Sequence, residues 1–578
     1  MALEGPFVGV SKCAIRMPFV LSLVLTGLWC VATVVLVPPV YFTNDDLVLN
    51  LLSAGVGVTD VPDEHLLFTH IWIGKLLATL YGVLPSVPWY PLYLTVLTWL
   101  ACAALLYVLL LRMPAAKAIG LFLAYLGLFG VMLFSRLQFT IVALHCGLAG
   151  LALLHHAWEQ IGRPLRFRIL HIGSGFALLI LCGAIRIHIV AWVMLLAIPL
   201  LAASLWSSDA PRRQAAVAAS MVCAILWSMV YLTDTMSYQR SPEWREFQEI
   251  NSLRTSFNDY GQVNYTKEVE SIFHAEGWDR LDFEMINEWF YADEKKYSVD
   301  NLQHIVGAFP AWKQEPDWSK VHGVVRWLVK QPLFSFTVVY ITWLVYAVGV
   351  QARARGGLIG MLAIVLLALP VFYMFAKLPP PYLILPTLAF VAYWPLYWTS
   401  YKDGVPTDMK NAGGRITRIG AVIVAMAGIA TYGTAVAETA GLSAMKEQVT
   451  GMLGASEVAP QKIYVVWGNS LPPASVPAYQ WGDVLRRQKI VWIGASLHSP
   501  VTKRMLAKLH ITDLYRALYE RDDVFLINSK QSRERLLAEY VRSRHDVKII
   551  FMSVKHGAGM TIVKAVKSSD ASLAGPSG

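Results

Sequence analysis

The stretch PVYFTNDDLVLNLLSAG, residues 39–55, decides how the chain is read. It continues the apolar run Met17–Phe42 and sets two adjacent carboxylates, Asp45 and Asp46, where that run ends. An apolar run of about 20 residues or more spans a bilayer as a helix, so the acids fall where hydrocarbon gives way to water. Lys12 and Arg16 precede the run as they would in a secretory leader. The run is too long for a leader's apolar core and no small-residue cleavage site follows, so it reads as a retained first helix.

Composition extends this reading to the whole chain. Of 578 residues, 56% are hydrophobic and 15% charged, where soluble proteins carry about a quarter charged residues. The apolar residues come in blocks, and eleven spans are expected at 17–41, 89–111, 118–134, 138–155, 169–185, 189–206, 215–233, 333–350, 357–376, 381–400 and 419–438. The fold class is therefore a polytopic α-helical membrane protein. With the N-terminus cytoplasmic, the inside segments hold fifteen Lys and Arg against five acids, an excess equal to the net charge of +10. The basic balance thus reports orientation by the positive-inside rule, and no nucleic-acid partner is needed to account for it. The six cysteines all lie at or before Cys223 in or beside apolar segments, so the aqueous parts carry no disulfide framework.

The stretch 66–84 is apolar but short, with Lys75 at its middle. A further span there would move Arg112 and Lys117 outside, so it reads as an amphipathic helix on the outer interface. Residues 1–438 then form the membrane domain, with a first external loop at 42–88 and a large external loop at 234–332. Residues 439–578 form an external domain with a disordered end, SSDASLAGPSG. Its runs KIYVVW (462–467), KIVWIG (489–494), VFLIN (524–528) and VKIIFM (547–552) read as strands. Helical stretches between the later ones argue for a small α/β domain with a mostly parallel sheet.

Three groups of residues can carry chemistry. Asp45 and Asp46 can deprotonate a hydroxyl or hold a divalent cation such as Mg, Mn or Ca, with His70 and Lys75 of the same loop in support. The bland alternative is helix capping, by Asn44 or Asp45. The second group is cationic: Arg136, Arg186, His188 and Lys377 fall in short outer turns, against the inside bias. Snorkelling to lipid phosphate accounts for any one of them, whereas four opposite an acidic pair fit a pocket for a phosphate or pyrophosphate. The third is the aromatic and acidic stretch FHAEGWDRLDFEMINEWFYADEKKYSVDNLQHI, 273–305, which reads as a packed helical subdomain or as a sugar-binding surface. The tail has no Gly-rich phosphate loop, zinc spacing or nucleophile elbow, and Ser496 with His498 is weak evidence for catalysis.

A cytoplasmic N-terminus, NDD (44–46) after the first helix, amphipathic helices in the first loop and an external C-terminal domain resemble the GT-C membrane glycosyltransferases. That superfamily includes protein O-mannosyltransferases, oligosaccharyltransferases and aminoarabinose transferases. The likeness covers mainly residues 17–200. The stretch GWDRLDFEMINEWFYADEKKYS, 277–298, also resembles uncharacterised bacterial membrane proteins with a GW…D…NWF…DE…S pattern. The first resemblance implies an inner-membrane enzyme that takes a sugar from a polyprenyl-phosphate donor to a glycan, lipid or protein acceptor, with inversion. Asp45 or Asp46 would be the base, and Arg186, Lys377 and Arg136 would bind the leaving phosphate. Some members use a divalent metal at the loop-one acids and others do not. A transporter or lipid flippase, a glycan polymerase or ligase and a non-catalytic envelope scaffold are the alternative readings. A transporter would place its ionisable groups at mid-membrane on broken helices, and here they sit at helix ends.

Overall fold

The structure, a computed structural model, describes residues 12–160, 162, 164–205, 209–309, 318–345, 358–368, 380–398, 409–454, 462–479 and 488–571. Helix α1 (Lys12–Leu36) stops short of the expected 41, because Pro38 and Pro39 follow it and proline cannot continue a helix. The chain then forms a two-residue strand β1 (Val40–Tyr41), helix α2 (Asn44–Ala54) and helix α3 (Ile71–Val83). Helices α4 (Trp89–Arg112) and α5 (Ala115–Ser135), strand β2 (Arg136–Leu137), and helices α6 (Phe139–Glu159), α7 (Leu165–Ile185), α8 (Ile187–Leu205) and α9 (Ala210–Gln239) follow. β1 pairs in parallel with β2, Val40 opposite Arg136.

Among the described residues seven helices are long and apolar enough to cross a membrane: Met17–Leu36, Trp89–Arg112, Ala115–Ser135, Phe139–Glu159, Arg168–Ile185, Ala210–Gln239 and Arg418–Leu453. The protein is an integral membrane protein. Three further expected spans appear as shorter apolar helices, Ile187–Ala202, Pro332–Trp343 and Leu358–Ala368. The span expected at 381–400 is helix Pro381–Trp398, with Pro386 and Pro395 inside it and nearly every residue from Pro386 to Tyr397 buried. α6 is the most enclosed of the long helices, 94% buried, and is the axis of the bundle. Where α4 and α6 end, Arg112 pairs with Glu159 and donates to the Tyr397 hydroxyl at 2.9 Å.

α3 is the helix expected within 66–84, and its 13 residues reach about 20 Å. Ile71, Ile73, Leu77 and Tyr81 are buried, while Trp72, Leu76 and Val83 stay exposed. An apolar face left open on such a helix suits lipid contact.

The large loop and the tail form one body around a sheet. Its strands are β3 (Ile463–Trp467), β4 (Lys489–Ile493), β5 (Val524–Asn528), β6 (Ile549–Gly557) and β7 (Met560–Lys567), in the order β4-β3-β5-β7-β6. β3 pairs in parallel with β4 and β5, and β7 pairs antiparallel with β5 and β6. The expected mostly parallel sheet is thus half antiparallel, because the unforeseen β7 returns from a tight hairpin at Ala558 and Gly559, both at positive φ. The last membrane helix runs unbroken through Met409–Gly454, and its end meets the sheet, where the Lys555 ammonium donates to the Gly451 carbonyl at 2.9 Å and the Ala558 amide to the Gln448 side chain at 2.9 Å.

Strand alternation divides the interior in two. Ile463, Val465, Trp467, Val491 and Ile493 face a core shared with Phe257, Phe273, Trp278, Phe290 and Tyr291 of the large loop. Tyr464, Val466, Ile490 and Trp492 face the core of the first loop and membrane helices. The first loop is also clamped to the tail directly. Asp60 pairs with Lys489 and Lys508, Asp63 with Arg504, and the Ile490 amide donates to the Gly57 carbonyl at 3.1 Å.

Gly55 shows how tightly the first loop is folded. It ends α2 at φ 70°, and a Cβ there would lie 2.4 Å from the Pro62 nitrogen. Gly55→Ala is expected to lower the yield of folded protein sharply, because both φ and backbone space forbid a side chain. At Gly82, within α3, an added Cβ would meet nothing within 4 Å. Gly82→Ala is expected to leave thermal unfolding unchanged or raise stability by about 0.5–1 kcal/mol, measured by unfolding midpoints in detergent.

Candidate functional site

The two acids of the opening stretch are separated by the turn they occupy. Thr43 is the N-cap of α2, in extended conformation, which puts Asp45 and Asp46 in the first helical turn. Neither Asn44 nor Asp45 is the cap. Consecutive helical residues project about 100° apart, so one carboxylate turns inward and the other does not. Asp46 is fully buried. Its carboxylate accepts from the Thr43 hydroxyl at 2.6 Å, the Tyr90 hydroxyl at 3.1 Å and the Phe139 amide at 3.0 Å. Burial pushes its pKa up to about 7, against the opposing pull of those hydrogen bonds.

Asp45 is half-buried, and among the described residues no hydrogen bond holds it. Burial raises its pKa above the ordinary carboxylate value while the nearby Arg186 guanidinium pulls it down. Arg186 sits in the turn between α7 and α8, its amide bonded to the Cys182 carbonyl at 3.1 Å. The guanidinium carbon lies 4.7 Å from the ring centre of Phe139 and 5.4 Å from that of Phe68. The two rings stack, with centroids 6.0 Å apart at 3°. Leu67, just before Phe68, is at φ 56°, a conformation bulky residues rarely adopt. The geometry leaves a free carboxylate beside a cation on an aromatic platform, at the junction of the membrane helices and the first loop. Such a pair can take a proton from a hydroxyl while the cation holds an anionic group.

The other expected residues fall in different places. His188 is exposed on the first turn of α8, next to Arg186. Arg136 pairs with Glu438 of the last membrane helix, so a carboxylate already balances its charge. Lys377 lies outside the described residues. His70 caps α3: its Nδ1 accepts from the Trp72 amide at 3.1 Å, and its Nε2 faces the Val230 carbonyl and the Thr233 hydroxyl, each at 3.1 Å. Lys75 is exposed and lies 3.8 Å from Glu64. His70 thus ties α3 to α9, and Lys75 stays within the first loop. His498 stacks on Tyr291 and meets its carbonyl at 2.5 Å, so it pins the large loop to the tail.

Donors from Thr43, Tyr90 and Phe139 take three of the roughly four lone-pair sites of the Asp46 carboxylate. Among the described residues no three His, Cys, Asp or Glu side chains cluster as metal ligands do.

Arg254 and Asp259, from the large loop and not foreseen, lie within electrostatic range of Asp45. Tyr382, half-buried at the start of helix Pro381–Trp398, lies within electrostatic range of Asp45, Arg186 and Asp259. In the sequence nothing distinguishes these three from their neighbours.

No protein-family model and no curated protein sequence matches the chain. Among solved structures it is similar to the crystal structure of ArnT from Cupriavidus metallidurans bound to undecaprenyl phosphate. The identity is 13% over 98% of this chain and 100% of that one, with a TM-score of 0.41. The apo state of the same protein gives 12% identity over 97% and 99% of the two chains, also at 0.41.

The inward carboxylate can be tested alone. Asp46→Asn keeps an acceptor for the Tyr90 hydroxyl and Phe139 amide and is expected to fold. Asp46→Ala strands three buried donors, at about 1–3 kcal/mol each, and is expected not to accumulate. Because the folded pKa of about 7 lies above the unfolded value, the native state binds the extra proton between them. Wild-type stability should therefore fall as pH rises from about 4 to 7. The stability of Asp46→Asn relative to wild type, measured by unfolding across that range, should rise in step.

Proposed function

We propose that the chain is an inverting glycosyltransferase of the GT-C type, moving a sugar from a polyprenyl-phosphate donor to an acceptor hydroxyl at the outer face of a bacterial inner membrane. The observation that carries this reading is the half-buried Asp45 carboxylate beside Arg186, where the membrane helices meet the first loop. A lipid phosphate cannot leave the headgroup layer, so base and phosphate-binding cation must meet at that depth. The charge asymmetry of the loops supports a cytoplasmic N-terminus, with loops and tail outside.

In this reaction the acceptor oxygen attacks the anomeric carbon from the face opposite the phosphate. The new C–O bond forms as the bond to the phosphate oxygen breaks. The hydroxyl proton passes to Asp45, and the electron pair leaves on the lipid phosphate. Arg186 receives that charge as it develops; a guanidinium suits a phosphate through paired hydrogen bonds. Asp46 has no direct part, since its oxygens are occupied; it fixes the turn from which Asp45 projects. His188 and Lys377 remain proposed as further phosphate ligands, whereas Arg136 would first have to leave Glu438.

Asp45→Asn keeps the shape and removes the proton acceptor, so transfer should fall by about 10²–10⁴-fold with folding intact. Asp46→Asn should keep most activity. The acid limb of the pH–rate profile should lie above the ordinary carboxylate range, because the raised Asp45 pKa means the base protonates earlier as pH falls. Arg186→Ala should weaken binding of undecaprenyl phosphate by about 1.5–3 kcal/mol. Transfer from a lipid-phosphate sugar by purified Asp45→Asn at near wild-type rate would sink the assignment.

A further inference from the structure

An apolar groove of about 640 Å³ lies within the membrane domain, lined by none of the residues around Asp45. That volume is within the range of about 300–1,000 Å³ that small-ligand sites occupy. One wall is the face of α5 from Lys117 to Gly127, and the other is the face of the last membrane helix from Ala421 to Gly428. The two helices meet at one end, where a Cβ on Gly428 would lie 3.3 Å from the Gly127 Cα. At Gly120, two turns earlier on α5, a Cβ would meet nothing within 4 Å, so the gap opens toward the start of α5. Trp29 of α1 and Tyr432 shut the deep end. The indole donates to the Tyr432 hydroxyl at 2.8 Å, and a Cβ on Gly130 would lie 2.6 Å from that hydroxyl. Leu123 and Ile429 line the groove and are exposed, so it opens sideways, where lipid surrounds a membrane helix.

The open end carries positive charge. Lys117 is exposed and, among the described residues, is the one charged residue that lines the groove. It lies in the first turn of α5, whereas the last turn leads into β2 and the Phe139 amide that binds Asp46. Lys117 therefore marks the membrane boundary away from Asp45. From Lys117 to Gly127 α5 rises about 15 Å, half of a hydrocarbon core of about 30 Å. The groove is one leaflet deep, with its cation at headgroup level and its apolar walls beneath. Exposed Arg418, one turn before Ala421, adds a second positive charge at that level.

We propose that this groove binds an anionic phospholipid of the leaflet opposite the Asp45 site, its phosphate at Lys117 and one acyl chain between α5 and the last membrane helix. The inference does not rest on the glycosyl-transfer reading. Apolar walls beside a gap forfeit dispersion contacts, which a lipid chain restores. Basic pockets between membrane helices on the cytoplasmic side hold anionic head groups, and the orientation proposed above puts Lys117 on that side. The polyprenyl donor fits less well, because its phosphate belongs at the other end of α5, about 30 Å away. A bound phospholipid would brace α5 against the last membrane helix, the pair joined again near Asp45 by Arg136 and Glu438.

The test uses the full-length protein in detergent, read by native mass spectrometry, with phosphatidylglycerol, phosphatidylcholine and undecaprenyl phosphate as probes. Wild type should retain one phosphatidylglycerol per chain, with about fivefold preference over phosphatidylcholine, the effect of about one cation near a head group. Lys117→Gln should abolish that preference and keep the weaker binding common to both lipids. Gly120→Leu puts a side chain into the groove where a Cβ has room. It should fold with an unfolding midpoint close to wild type and lose the bound phospholipid. Equal retention by Gly120→Leu and wild type would overturn the site, and equal binding of the two phospholipids by wild type would overturn the anionic assignment. Should Gly120→Leu fail to fold, Lys117→Gln decides, and an unchanged preference there would overturn the proposal. Displacement of phosphatidylglycerol by equimolar undecaprenyl phosphate would overturn it in favour of the donor's tail. A dimer that Gly120→Leu dissociates would overturn it in favour of a second copy of the chain.

Discussion

A carboxylate removed from water must be surrounded by donors, or its cost prevents folding. Asp46 is such a group, and its donors come from three segments far apart in the chain: Thr43 before α2, Tyr90 at the start of α4 and the Phe139 amide at the start of α6. Satisfying that one side chain brings the ends of two membrane helices and the first loop to a common level. Tyr90 is held in turn, its amide donating to the Tyr81 hydroxyl at 3.0 Å, and Tyr81 donates to Asn50 at 2.7 Å. The turn between α7 and α8 joins the same junction where the His70 amide meets the Ala184 carbonyl at 2.8 Å. Arg186 follows two residues later, and Asp45 projects beside it because Asp46 projects away.

The same economy governs the body formed by the large loop and the tail. β3 is buried along all five residues, so neither face of the central sheet can be left to solvent. One face takes the aromatic side chains of the large loop and the other takes the first loop. Specific bonds fix the first of these contacts: the Trp467 indole donates to the Glu288 carbonyl and Arg533 pairs with the Glu288 carboxylate at 2.7 Å. The aromatic density of 273–305 is therefore mainly core. Trp278, Phe290, Tyr291 and Tyr297 are almost wholly enclosed, and Trp289 lies against the Arg254 guanidinium.

The sequence by itself determined the class of the protein, because hydropathy is a local property: blocks long enough to span hydrocarbon are visible one residue at a time. It also placed the acidic pair at a membrane boundary and Arg186 in a turn at a helix end, since proline breaks and lone charges in apolar sequence are local too. Only the tertiary structure decided which acid is open, because adjacent helical residues differ merely in the direction they face, and that direction acquires meaning when Tyr90 and Phe139 arrive. It paired Arg136 with Glu438 from 302 residues away. It brought in Arg254, Asp259 and Tyr382, ordinary residues in their own segments. Pairings over such separations leave no periodicity, spacing or composition in the chain.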